Sequence, residues 1–198
     1  EYRGYDSAGI ATITDSNFNL YRCVGRVEGL EEKIPSNLPG FTGIGHTRWA
    51  THGEPLERNC HPHVSYNNIF AIVHNGVIEN FQELKNELLN EGFKFNSDTD
   101  TEVIANVLEQ EYSKTNNVLE SINNTLKRVD GSLAIAILFN GDEHKIYFAR
   151  RKSPLLIGIG KETNYLASDA LPMIKCADKF VDLLNNQYGY ITSNEVHV

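Results

Sequence analysis

Apolar and polar positions repeat along this chain with two different periods. Residues 69–73, Ile-Phe-Ala-Ile-Val, form an unbroken apolar run, the pattern of a strand buried on both faces. A little further on, Phe81, Leu84, Leu88 and Leu89 recur at i, i+3, i+7 and i+8, the stripe of an amphipathic helix. Two more helical stripes follow. Val103, Ile104, Val107 and Leu108 predict a helix over about 100–112, and Leu119, Ile122 and Leu126 predict one over about 118–127. Thr99 and Glu102 have the spacing of a capping box at the start of the first of these. Strands are expected at 9–14, 19–24, 42–46, 68–74, 132–140, 145–150, 155–160, 164–168 and 189–192. Asn140-Gly141 between two of them is a hairpin signal.

Strands come first, then a block of helices, then strands again. This is α+β order, with antiparallel sheets and helices over their faces, and it lacks the alternation of a βαβ fold. No repeat, low-complexity tract or Pro/Gly-rich linker divides the chain, so one domain over residues 1–198 is expected.

Composition excludes more than it identifies. A formal net charge of −8 argues against nucleic-acid and anionic-membrane partners, both of which need a basic surface. Three scattered cysteines, Cys23, Cys60 and Cys176, fit a reducing, cytoplasmic setting better than a disulfide framework. The chain opens on Glu1 in strand-like sequence and closes on Val198 within an alternating pattern, which suggests a fragment.

Candidate chemistry lies where strands and helices end, in residues 1–9, 45–53, 74–76 and 97–102. An Asn side-chain amide beside a glycine N–H, as at Asn75 and Gly76, can aim two donors at one developing oxyanion. The Arg48 guanidinium could take a carboxylate with two parallel hydrogen bonds, and the Asp100 carboxylate an ammonium. Together they would hold the charged ends of a free amino acid. Each residue also has a simpler reading. Asn-Gly is a turn signal, Asp100 suits a helix N-terminus, and Arg48 beside Trp49 resembles a surface pair. His52, His61 and His63 with Cys60 lack a usual structural-zinc pairing, so no metal and no cofactor are expected.

Taken together, EYRGYDSAGIA, GHTRWATHGEP, HPH, HNGVIENF, SDTDTEVIA, GSLAIAIL, ARRKSPLLIGIG and ASDALPMI closely resemble the glutaminase domain of the glutamine–fructose-6-phosphate aminotransferases, class II glutamine amidotransferases. The resemblance runs from Glu1 through at least Met173. It implies the four-layer αββα sandwich of N-terminal-nucleophile hydrolases and the release of ammonia from L-glutamine through a γ-glutamyl thioester. It further implies that Asn75 and Gly76 form the oxyanion hole, that Arg48, with Thr51 and His52, receives the glutamine carboxylate, and that Asp100 receives the ammonium. Trp49 would lie in the loop over glutamine, and Arg3 near the nucleophile.

The family's nucleophile is a cysteine at the first position of the mature chain, and position 1 here is Glu. The leading strand, the helix after it and a C-terminal sugar isomerase domain, which uses fructose 6-phosphate, are expected to lie outside these 198 residues. The fragment is expected to be inactive alone, and the full-length protein to be a homodimer. Two alternatives stand beside this reading: a non-catalytic glutamine-binding module, and the glutaminase domain of another class II amidotransferase.

Overall fold

The computed structural model describes residues 6–49 and 53–198. It contains β1 (Ser7–Thr14), β2 (Asn17–Val24), α1 (Val27–Glu31), β3 (Gly43–Arg48), β4 (His63–Val64), β5 (Phe70–Ile78), α2 (Phe81–Asn90), α3 (Asp100–Thr115), α4 (Val118–Arg128), β6 (Gly131–Phe139), β7 (Asp142–Arg151), β8 (Leu156–Ile159), β9 (Asn164–Ala167), β10 (Lys179–Asp182), β11 (Gln187–Ile191) and β12 (Val196–His197). Every paired strand is antiparallel to its neighbour.

The two-residue alternation of side chains along β5 explains the layering. Phe70, Ile72 and Ile78 point to one face and pack with Leu84 and Leu88 of α2, Val103, Ile104, Val107 and Leu108 of α3, and Ile122 and Leu126 of α4. Ala71 and Val73 point to the other face and pack against Ala11 and Ile13 of β1 and Ile44 of β3. A strand covered on both sides must be apolar throughout, hence the unbroken run at 69–73. A fully buried Leu or Ile stabilises by roughly 1.5–3 kcal/mol, so this double burial fixes the order of the layers.

The central sheet is six-stranded, in the order β12-β11-β7-β6-β5-β4. Helices α2, α3 and α4 cover one face. The other carries two three-stranded sheets, β2-β1-β3 and β10-β8-β9. The second of these packs Leu155 and Ile157 on Phe148 and Ala134. On the outer face of the first, α1 sets Leu30 against Ala8 and Cys23. Helices, sheet, sheet and a thin outer layer are thus stacked in αββα order; the outer layer holds the five-residue α1 on one small sheet and the turn at 171–173, with Met173 against Gly158, on the other. β3 and β9 are edge strands of their sheets among the described residues.

Two sequence expectations change. β5 continues through His74-Asn75-Gly76 to Ile78, whereas the sequence places Asn-Gly in a loop beyond a strand ending at 74. The strand persists because β6 pairs with it along its whole length, Gly76 opposite Leu133. A Cβ on Gly76 would stand 2.0 Å from the Ser132 carbonyl oxygen, so only glycine lets the two backbones approach here. Leu89, read as part of the buried stripe of α2, is 47% exposed, while Leu84 and Leu88 carry the contact. The predicted capping box is also modified. The Thr99 side chain accepts from the Glu102 N–H, but the Glu102 carboxylate accepts from the N–H groups of Asn96 and Ser97, at 2.8 and 2.7 Å.

Candidate active site

The small side chains of Ala134 and Ala136 on the inner face of β6 leave a hollow between the sheets. It opens into a cavity of about 1170 Å³, walled by residues 41–49 on one side and 163–169 on the other. Arg48, Trp49, Asn75, Gly76 and Asp100 all line it. The four polar groups read from distant parts of the sequence therefore share one chamber. Arg3, Thr51 and His52 lie outside the described residues.

Strand register positions Asn75 and Gly76. Hydrogen bonds from Asn140 N–H to the Ile69 carbonyl and from Glu79 N–H to the Asp130 carbonyl bracket the β5–β6 ladder. They place odd-numbered residues of β5 in its hydrogen-bonded positions. Even-numbered residues turn their N–H groups to the opposite edge. There Ile72 faces β4, the His74 N–H donates to His61 Nδ1 at 3.3 Å, and the Ile78 N–H donates to Asp100 Oδ2 at 2.9 Å. Gly76 lies between the last two, at φ +137, and lines the cavity beyond the end of β4. Asn75, one residue earlier, projects its side chain to the opposite face of the sheet, toward β3. Its Oδ1 accepts from His46 Nε2 at 2.8 Å, which turns Nδ2 away from β3.

Burial, above all other influences, pushes His46 down to about 4 and outweighs the opposing pull of its bond to Asn75. His46 is therefore neutral at pH 7. Since Nε2 donates, Nδ1 carries no proton, and that buried atom has no hydrogen-bond partner among the described residues. Burial likewise drives His63 down to about 3, with the Arg22 and Arg48 charges adding to the effect.

Arg48 is buried at the end of β3, and its guanidinium donates to the carbonyls of Gly53, at 3.0 Å, and Glu54, at 3.5 Å. It ties Gly53 and Glu54 to the end of β3. Trp49, next to it, is 59% exposed at the rim. Asp100 begins α3 and is buried; it joins the helix to β5 through Ile78. The simpler reading of Asp100 stands beside the functional one, since Asp100 does sit in the first turn of a helix. The Arg48 surface pair, however, does not survive the burial of its guanidinium.

None of Cys23, Cys60 and Cys176 lines the cavity. Burial pushes the Cys60 thiol up, the wrong direction for a nucleophile. Among the described residues no group of three His, Cys, Asp or Glu side chains is arranged to hold a metal ion. The sequence reading weighed His61 and His63 only as metal ligands and did not single out His46 or Thr101. These residues sit in HTR, HPH and DTE, but the contacts joining them span up to 40 positions.

The architecture and the chamber define a class of protein. The chain superposes on the glutamine phosphoribosylpyrophosphate amidotransferase of B. subtilis with a TM-score of 0.79, at 24% identity over 98% of this chain and 44% of the other. An allosteric regulatory enzyme of purine biosynthesis gives a TM-score of 0.80 at 26% identity, over 93% of this chain and 40% of the other. The fold is that of the N-terminal-nucleophile amidotransferases. The sequence profile of the glutamine amidotransferase domain matches residues 46–175, and the chain belongs to that family. Similar relatives are the isomerizing glutamine–fructose-6-phosphate aminotransferases of Pyrococcus horikoshii, 46% identical over 195 residues, and Bacillus cereus, 44% identical over 198 residues. These alignments cover 98% and 100% of this chain, which spans about a third of the length of either relative.

Proposed function

We propose that this chain is the glutamine-hydrolysing domain of a glutamine–fructose-6-phosphate aminotransferase. The observation that carries the reading is the convergence of Arg48, Asn75, Gly76 and Asp100 on one cavity. Arg48 receives the α-carboxylate of L-glutamine and Asp100 its ammonium, leaving the side-chain amide directed at the paired donors. Thr51 and His52 assist at the carboxylate, Trp49 covers the substrate and Arg3 lies near the nucleophile.

A cysteine thiolate attacks the amide carbon, and the carbonyl π pair moves to oxygen. Asn75 Nδ2 and the Gly76 N–H stabilise that oxyanion. The nucleophile's own α-amino group has taken the thiol proton; as the oxyanion collapses, the amide nitrogen takes that proton and leaves as ammonia, and a γ-glutamyl thioester remains. Water then hydrolyses the thioester to glutamate and restores the thiol. Two fixed donors of this kind lower the barrier by a few kcal/mol, because they need no reorganisation as the charge develops.

No described cysteine can serve, so the nucleophile comes from a segment outside residues 1–198. The cavity is larger than an amino acid needs. Edge strands β3 and β9 both line it, over the floor of Ala134 and Ala136. A further strand bearing the cysteine at its start would fill that hollow and join the two small sheets. Ammonia would pass to a sugar isomerase domain acting on fructose 6-phosphate to give glucosamine 6-phosphate, in a homodimeric full-length enzyme. The 198 residues alone then release no ammonia from glutamine.

The test is Asn75→Ala in the full natural chain, with ammonia release as the readout. A loss of about a hundred-fold or more in rate is expected. Turnover at the wild-type rate would reject the oxyanion assignment.

A further inference from the structure

In the wall of the cavity, His61, His74 and Thr101 form a closed circuit whose proton positions, for neutral rings, follow from the geometry. The His74 backbone N–H donates to His61 Nδ1 at 3.3 Å, so that nitrogen carries no proton. Burial holds His61 well below its ordinary range, and the ring is neutral. Its proton is therefore on Nε2, which donates to Thr101 Oγ1 at 3.2 Å. The threonine has one hydroxyl proton, and the remaining partner is His74 Nδ1, at 3.1 Å. His74 accordingly keeps its proton on Nε2, which donates to the Ser132 carbonyl at 3.3 Å. No other assignment satisfies all four contacts with neutral rings. Thr101 is 1% exposed, so water does not substitute for its hydroxyl.

The circuit acts on both donors proposed for the oxyanion. It grips His74 by backbone and ring, immediately before Asn75 and Gly76, on the edge of β5 where β4 has ended. It also orients the His61 ring, which stacks on His46 with centroids 4.2 Å apart and an interplanar angle of 26°. His46 in turn holds the Asn75 amide.

We propose that Thr101 is a positioning residue for glutamine hydrolysis, its hydroxyl locking the His61 and His74 rings that aim Asn75 Nδ2 and the Gly76 N–H. The proposal rests on the assignment of these donors made above. A small misalignment of fixed donors costs transition-state stabilisation far more than ground-state binding. Thr101 should therefore act on kcat and leave KM alone.

Thr101→Val removes the hydroxyl at nearly constant volume, and Thr101→Ser restores it. In the full natural chain, Thr101→Val is expected to lower kcat for glutamine hydrolysis about tenfold or more while KM stays within about twofold. Thr101→Ser should remain within about twofold of wild type in both. Ile122→Val, buried in α4 and away from the cavity, gives the reference for destabilisation alone: a lower Tm with unchanged kcat. Wild-type kcat in Thr101→Val, a serine variant as impaired as the valine variant, or a change confined to KM would each overturn the proposal. Asn75→Ala, assayed in parallel, separates the two inferences. If it is crippled while Thr101→Val is not, the positioning role alone fails. If both turn over normally, the oxyanion reading fails as well.

Discussion

Asn75 Oδ1 lies 2.8 Å from His46 Nε2, across the gap between the central sheet and the sheet stacked on it. This contact joins two layers and holds the oxygen end of the amide against β3. A neutral imidazole suits the task, because a single N–H donor identifies the oxygen of the amide and leaves its NH₂ for another partner. His46→Phe keeps a ring against His61 but removes that donor. Its kcat for glutamine hydrolysis should fall about tenfold or more, with little change in KM, by steady-state ammonia assay.

Gly76→Ala is expected to be more damaging than its one added methyl suggests. Gly76 has φ +137, and a Cβ would meet the Ser132 carbonyl oxygen at 2.0 Å. Positive φ and backbone collision together should cost several kcal/mol, on the order of the largest single-residue effects. Thermal melting should show a Tm lowered by several degrees or more, and glutaminase activity should be lost.

Arg48→Lys preserves charge but not the planar fork. An ammonium cannot both hold the carbonyls of Gly53 and Glu54 and grip a carboxylate through two parallel bonds. KM for glutamine should rise about tenfold or more. An unchanged KM would count against the carboxylate role.

Acid should weaken the fold before it reaches the carboxylates. His46, His61 and His63 are all held below their ordinary value of 6.5 by burial, His46 at about 4 and His63 at about 3. Each is neutral when folded and free to take a proton when unfolded. Unfolding thus binds protons, and stability is complete above about pH 6.5 and falls as pH drops from there toward 4. The slope is about 1.4 kcal/mol per pH unit for each such histidine. Urea titrations of the full natural chain between pH 7.5 and 4.5 should show a falling midpoint. A flat profile would contradict the burial of this cluster.

The helices were legible in the sequence because amphipathic stripes are local. Leu84 and Leu88, Val103 to Leu108, and Ile122 and Leu126 all face the sheet as their spacing requires. The hairpin at Asn140-Gly141 was equally local. The short elements were not legible. α1 has one turn, β4 has two residues, and every residue of β10 is exposed, so none of them carries a burial period. Asn75-Gly76 was misread as a loop because pairing with β6, more than fifty positions away, overrides a local turn signal.

The sequence by itself determined which chemical groups this protein has: a guanidinium at 48, an amide beside a glycine at 75 and 76, a carboxylate at 100, and no cysteine at position 1. Tertiary structure decided how those groups are aimed. Pairing with β6 sets Asn75 and Gly76 in a strand at the cavity wall, and His61, His74 and Thr101 are hydrogen-bonded to one another behind them. Hydrogen-bond direction depends on partners brought together by folding, and those partners lie too far apart in the chain for any local pattern to record them.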